Sequence, residues 1–374
     1  MPSTRSPGQR PRWSWTIGRI AGIDIQVHAT FLLLLAWIAY AQYQSVGTTA
    51  AAISGVVFTL AVFASVVLHE LGHALTAAHF GVKTRGILLW PLGGVAQLEQ
   101  IPDEPREELL IAAAGPAVTV VIAAILYAIL RITGVPVDPR NAFAGSGGFL
   151  ERLLWINVVL AAFNLLPAFP MDGGRILRAL IAMRVDHGRA TAIAAGIGQA
   201  FALAFGLYGL FVSGNIWLVF IAFFVWIAAA SEARASRFKS VLDGIPVARV
   251  MITNVETLSP GDPLSVAVNH VVAGFQHDFP VVDNGKVVGV LTRSDLLRAV
   301  AQGQPGATVG DIMERSFASA APNDMLDAAL TRLQQCACQT LPVLRDGQLA
   351  GVLTMESIGT LVAFTGRTPS VSSA

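Results

Sequence analysis

Residues 52–68 (AISGVVFTLAVFASVVL) carry no charged side chain, and they lead straight into His69-Glu70-Leu71-Gly72-His73. An apolar run of this length folds as a membrane-spanning helix, and such a helix tolerates ionisable groups only where they pair, line a wet cavity or bind a ligand. On a helix His69 and His73 stand at i and i+4, so both imidazoles leave one face. Two imidazoles on one face can hold a zinc ion, and Glu70 beside them can serve as the base for a water activated there. The plainer alternative is a histidine pair used only in packing. It leaves three polar groups to be satisfied in hydrocarbon, at considerable cost.

Hydrophobic residues make up 54% of the chain and charged residues 13%, a balance that fits a polytopic α-helical membrane protein better than an aqueous enzyme. About six transmembrane helices can be drawn, over 28–46, 52–79, 108–131, 151–171, 190–213 and 215–232. With the N-terminus inside, fourteen Lys and Arg fall on the cytoplasmic side and only Arg131, Arg140 and Arg152 on the other. The positive-inside rule then puts both termini in the cytoplasm. The net charge of +1 gives no ground for a nucleic-acid partner. Cys336 and Cys338 offer no disulfide framework, and core packing in a reducing compartment is expected of them.

Ala39-Tyr40-Ala41 after the first apolar run mimics a signal-peptidase site. The region before that run is too long for a signal peptide, and Trp13 to Val27 alternates like a strand, so a retained first helix is expected.

Zinc needs a third protein ligand, and two residues compete. His79 stands where a metzincin pattern places its third histidine, but that pattern needs a glycine to turn the chain, and Thr76 occupies the position. Asp172 follows Pro167 and Pro170, which break the fourth helix, and precedes Gly173-Gly174. Irregular backbone at membrane depth is acceptable only where it lines a protein-enclosed or wet cavity. Asp172 is also the only acidic residue between Glu151 and Asp186. His69 lies roughly 26 Å along its helix from the outer end, at the inner level that Asp172 also reaches.

His-Glu-Leu-Gly-His followed by Asn164-x-x-Pro167-x-x-Pro170-x-Asp172-Gly173-Gly174 resembles the site-2 protease family of intramembrane zinc metalloproteases, over residues 13–235. The resemblance implies zinc held by His69, His73 and Asp172, with Glu70 as general base. It also implies Asn164 orienting the substrate or its scissile carbonyl. The segment 82–99 resembles the family's hairpin after the second helix, with Gly93-Gly94 at its turn, and its strand edge could bind an unwound substrate segment. The implied function is hydrolysis of a peptide bond in a transmembrane protein near the cytoplasmic leaflet, as in regulated intramembrane proteolysis. The implied place is a prokaryotic cell membrane.

After Lys239 the chain turns polar and repeats itself at an offset of 62: Phe279-Pro-Val-Val282 recurs as Leu341-Pro-Val-Leu344, and Gly289-Val-Leu-Thr292 as Gly351-Val-Leu-Thr354. This pattern resembles a tandem CBS pair with an α/β fold, CBS 1 over 247–303 and CBS 2 over 308–366, joined to the membrane part by a linker at 236–246. Such pairs bind adenine nucleotides (ATP, ADP or AMP) and dimerise, which implies a homodimer. The resemblance carries nucleotide contacts to Thr292, Asp295 and Thr354, while Ser357 replaces the second copy's aspartate. The structural alternative is a pair that only dimerises. Residues 1–12, rich in Pro, Ser and Arg, are expected to be disordered beside anionic membrane lipid, and 367–374 to be a disordered tail. The competing function is a CBS-gated transporter or channel, in which Glu70 beside a two-histidine face would have no role.

Overall fold

The computed structural model describes residues 13–91, 93–98, 104–144, 147–274, 276–302, 306–336 and 338–365. The two expected disordered ends, 1–12 and 367–374, lie outside these residues.

Alternating Ile23, Ile25 and Val27 form an inward-facing row on β2 (Ile23–His28), which pairs antiparallel with β1 (Ser14–Ile20). His28 ends the strand and caps α1 (Ala29–Val46), its Nδ1 accepting from the Thr30 amide at 3.3 Å. The 31 residues of α2 (Thr49–His79) reach about 46 Å at the helical rise. Two further strands follow, β3 (Thr84–Trp90) and β4 (Gly93–Leu98). Their sheet has the order β1-β2-β3-β4, with β2 and β3 parallel. The apolar face of this sheet (Ile25, Val27, Ile87, Leu89) packs on Leu71 and Ala74 of α2, within and just past the motif. The sheet thereby fixes the rotation of α2 about its own axis.

Five more helices of at least eleven residues complete this unit: α3 (Pro105–Ile132), α5 (Phe149–Asn164), α6 (Asp172–Ala182), α7 (His187–Phe211) and α8 (Ile216–Leu242), with the short α4 (Pro139–Ala144) before α5. Among the described residues, α1, α2, α3, α7 and α8 are long and apolar enough to cross a membrane. They leave large apolar groups uncovered, such as Leu33 at 68% and Trp217 at 72% exposure, as lipid-facing helices do. The fourth expected span is α5, and it stops at Asn164 after 16 residues, because residues ahead of Pro167 leave the helical region.

The chain divides into two compact units, Met1–Arg234 and Ala235–Ala374. Helix α8 continues to Leu242, so much of the stretch expected to be a linker is helical. The second unit holds α9 (Leu264–Ala273), β5 (Phe279–Asp283), β6 (Lys286–Leu291), α10 (Arg293–Ala301), α11 (Val309–Ile312), α12 (Leu326–Gln335), β7 (Thr340–Arg345), β8 (Gln348–Thr354) and α13 (Met355–Thr365). Helices α12 and α13 begin 62 residues after α9 and α10. The lead-in of each copy bridges to the other copy: Ile252 pairs with Val352, and Val290 with Glu314. Buried Asp278, at the foot of β5, accepts from the amides of Arg293 and Gln339, one in each copy.

Cys336 packs against the core of the second unit, as expected, but it is joined to Cys338 as a disulfide, which was not expected. The break between α12 and β7 opens their Cα atoms to 5.2 Å, which a disulfide spans readily even at this short sequence separation.

Candidate metal centre

Three donor atoms meet at one point between α2 and α6. His69 Nε2 lies 3.2 Å from His73 Nε2, and Asp172 Oδ2 lies 3.1 and 3.2 Å from the two nitrogens. The three side chains are 6%, 9% and 12% exposed. Tetrahedral ligands at zinc distances sit about 3.3–3.4 Å apart, so the trio is spaced for one small cation.

The protons of the two rings agree with this. His73 Nδ1 is 2.7 Å from the Ile111 carbonyl, which can only accept, so Nδ1 carries the hydrogen and Nε2 a lone pair. His69 Nδ1 is 2.8 Å from Thr119 Oγ1, whose hydroxyl hydrogen goes to the Gly115 carbonyl. His69 therefore also donates from Nδ1 and presents a lone pair at Nε2. In the neutral rings both Nε2 lone pairs face Asp172 Oδ2, a donor set that suits a cation.

Local sequence explains how each donor arrives. Helix α3 approaches α2 so closely that a Cβ on Gly115 would stand 2.2 Å from His73 Nε2, so only glycine leaves room for the ring. Asp172 opens α6 as its first residue, reaching the histidines from beyond the Pro167–Pro170 break. Gly173 and Gly174 lie within the first turn of α6, where a Cβ on Gly173 would sit 2.2 Å from the Leu166 carbonyl and one on Gly174 would sit 2.7 Å from Ala168. Their task is close backbone contact with the break.

Helix α6 is itself anchored by charge. Arg178, 2% exposed, donates to Glu108 on α3 (2.7 Å) and to Glu232 on α8 (2.7 Å). In the sequence Arg178 is one more positive-inside charge; in the fold it pairs with carboxylates on two other helices.

Glu70 is half-buried one residue along from His69, and its Oε2 accepts from the Ala96 amide at 3.1 Å. Asn164, the last residue of α5, is half-buried and takes part in none of the hydrogen bonds of the cluster. Gly93 and Gly94 begin β4 rather than form the turn before it. His79 ends α2 with its ring against Phe80, away from the donor trio. The sequence reading missed Ile111, Gly115 and Thr119; the one local signal was Gly115-Pro116 inside an apolar helix.

In the second unit Thr292 caps α10, its hydroxyl 2.6 Å from Asp295 Oδ2, while Asp295 Oδ1 accepts from Arg298. Thr354 and Ser357 bond each other at the start of α13. A cavity of about 1460 Å³ is lined by residues of both copies, among them His270, Gln276 and Phe279 of the first and Thr354 and Ser357 of the second. Thr292 and Asp295 are not part of its lining.

The sequence pattern of Peptidase family M50 matches residues 57–142 and 134–205, and that of the CBS domain matches 247–302 and 309–360. The chain is 33% identical over 352 residues to Zinc metalloprotease MJ0392 of Methanocaldococcus jannaschii, covering 92% of this chain and 95% of that one. It is 27% identical over 246 residues to Stage IV sporulation protein FB of Bacillus subtilis, covering 63% and 80%. Among solved structures it is similar to the Site-2 Protease from Methanocaldococcus jannaschii, with 37% identity, a TM-score of 0.43, and 59% of this chain and 95% of that one covered. The chain belongs to Peptidase family M50, as a site-2 type intramembrane zinc metalloprotease with a tandem CBS pair behind it.

Proposed function

We propose that the chain cleaves a transmembrane protein at a peptide bond near the cytoplasmic leaflet, with His69, His73 and Asp172 holding zinc and Glu70 as the base. The observation that carries this is the convergence of two Nε2 lone pairs and Asp172 Oδ2, with both Nδ1 hydrogens committed elsewhere. Zinc bound there supplies a Lewis acid that polarises the scissile carbonyl and makes water a stronger acid. Glu70 takes a proton from the attacking water as its oxygen bonds to the carbonyl carbon. It returns that proton to the amide nitrogen as the C–N bond breaks. Asn164, at the end of α5, orients the carbonyl. The peptide bonds of a helical substrate are hidden in their own hydrogen bonds, so the segment unwinds first. The unwound strand lies along the edge of β4, beside Gly93 and Gly94.

Metal analysis and cleavage of a single-span reporter test these roles together. Glu70→Gln keeps zinc and loses cleavage, because a base goes and no ligand does. His73→Ala and Asp172→Ala lose both. A Glu70→Gln variant that cuts near the wild-type rate removes the mechanism. Zinc lost in His79→Ala but kept in Asp172→Ala removes the ligand assignment.

For the second unit the reading is control of proteolysis by adenine nucleotide, with association of two copies through the CBS pair and both termini in the cytoplasm of a prokaryotic cell. Its support is the cavity that both copies line, with Thr354 in its lining. Thr292 and Asp295 stay in this reading as the contacts implied for the first copy. Calorimetry with ATP, ADP and AMP decides it: Asp295→Ala and Thr354→Ala separate the two candidate sites, and no binding at millimolar nucleotide leaves a docking or dimerising module.

A further inference from the structure

The face of β4 that carries Gly94 and Ala96 packs on α2. Leu88 pairs with Val95 and Trp90 with Gly93, and the amides of Gly94 and Ala96, alternating with these, point away from β3. The Ala96 amide ends on Glu70 Oε2. Both glycines serve this contact. Gly93 takes φ +138°, which glycine adopts at little cost, and starts the strand in the right direction. A Cβ on Gly94 would stand 3.0 Å from Glu70 Cγ and from Val66 Cγ1, so a larger residue there must shift one of those side chains.

The base is thus held by the same N–H that a strand added at this edge would need. We propose that the Ala96 amide is a shared donor. It binds the Glu70 carboxylate while the edge is empty and passes to a backbone carbonyl of the substrate when a strand docks, so the base is released only with substrate in place. This rests on β4 as the docking edge, as proposed above. No bond is made or broken in the exchange; one hydrogen bond replaces another. Docking and the Glu70 contact therefore oppose each other, and deleting the acceptor at position 70 strengthens docking by about three- to tenfold, the worth of one such hydrogen bond.

The test uses full-length, zinc-loaded protein in nanodiscs. Glu70→Gln and Glu70→Ala are both without the base, but only glutamine retains an oxygen that can accept from Ala96. The probe is a dye-labelled single-span peptide with a Gly-Pro break in its inner third. Glu70→Ala binds it about three- to tenfold tighter than Glu70→Gln. That difference vanishes when Ala96→Pro, which lacks the N–H, is added to both, and it survives Ala96→Gly. Hydrogen exchange of residues 93–98 without peptide is faster in Glu70→Ala than in Glu70→Gln, and this comparison stands even where the proline variant does not fold. Equal exchange, or equal binding by the two Glu70 variants, overturns the shared donor. Binding by Glu70→Ala that is indifferent to Ala96→Pro overturns the docking edge itself.

Discussion

His73 Nδ1 lies 2.7 Å from the carbonyl of Ile111, so one ring of the candidate metal centre on α2 is aimed by the backbone of α3. Thr119, a little over one turn beyond Gly115 on α3, aims His69 through its hydroxyl. Thr119→Val removes that acceptor at nearly constant volume. The zinc affinity of this variant should fall about 10–100-fold, as for other partners of metal-bound histidines, with Thr119→Ser restoring it. Chelator competition measures this.

Gly115→Ala puts a methyl group where His73 Nε2 now lies. The ring must swing aside. The expected result is folded protein with little zinc and no cleavage, read by metal analysis beside circular dichroism.

Arg178 neutralises a carboxylate buried on α3. Arg178→Ala leaves Glu108, at 3% exposure, with only the His187 ring 4.0 Å away, and the expected loss is about 3–5 kcal/mol in thermal or denaturant unfolding. Replacing Arg178 and Glu108 together by Met and Leu should cost less than Arg178→Ala alone, because the buried carboxylate leaves with its partner and only Glu232, 37% exposed, loses one.

Asp324 gives a pH signature in the second unit. The amide of Ala321 and then the guanidinium of Arg332 hold its carboxyl below the ordinary 3.8. Its folded value lies under its unfolded one, so the contact stabilises above about pH 4 and fades as pH falls through the lower folded value. Asp324→Asn should flatten the acid side of the unfolding curve of this unit and leave the neutral side merely lower. An unchanged acid limb contradicts it.

The cut should fall towards one end of the substrate span. His69 is 20 residues into α2, roughly 30 Å from its start, with ten residues beyond it. Product termini mapped by mass should cluster within about 10 Å of the cytoplasmic boundary. Cuts in the outer leaflet would contradict the assigned orientation.

What the sequence made legible was local. His69, Glu70 and His73 were readable because spacing alone puts the two histidines on one helical face. Asp172 was readable because two prolines force a break at membrane depth, where only a lined cavity permits one. Thr119 and Ile111 were not readable, since their roles exist only once α3 lies against α2 and neither residue type is unusual in an apolar helix. Arg178 was misjudged for a related reason: a charge count along the chain does not see Glu108 and Glu232 arriving from other helices. The repeat of 62 residues exposed the two CBS copies but not the crossing of their lead-ins, which is a long-range pairing with no periodic trace.

The parallel pairing of β2 with β3 joins the strand that enters α1 to the strand that leaves α2. The first two helices are therefore stitched at that end like the arms of a pair of tongs at the rivet. They can splay at the far end, where Gly47 links them, but not part near the histidines. Lateral access between α1 and α2 at the level of the histidines is therefore closed, and the rivet holds the helix that carries His69 and His73 in place.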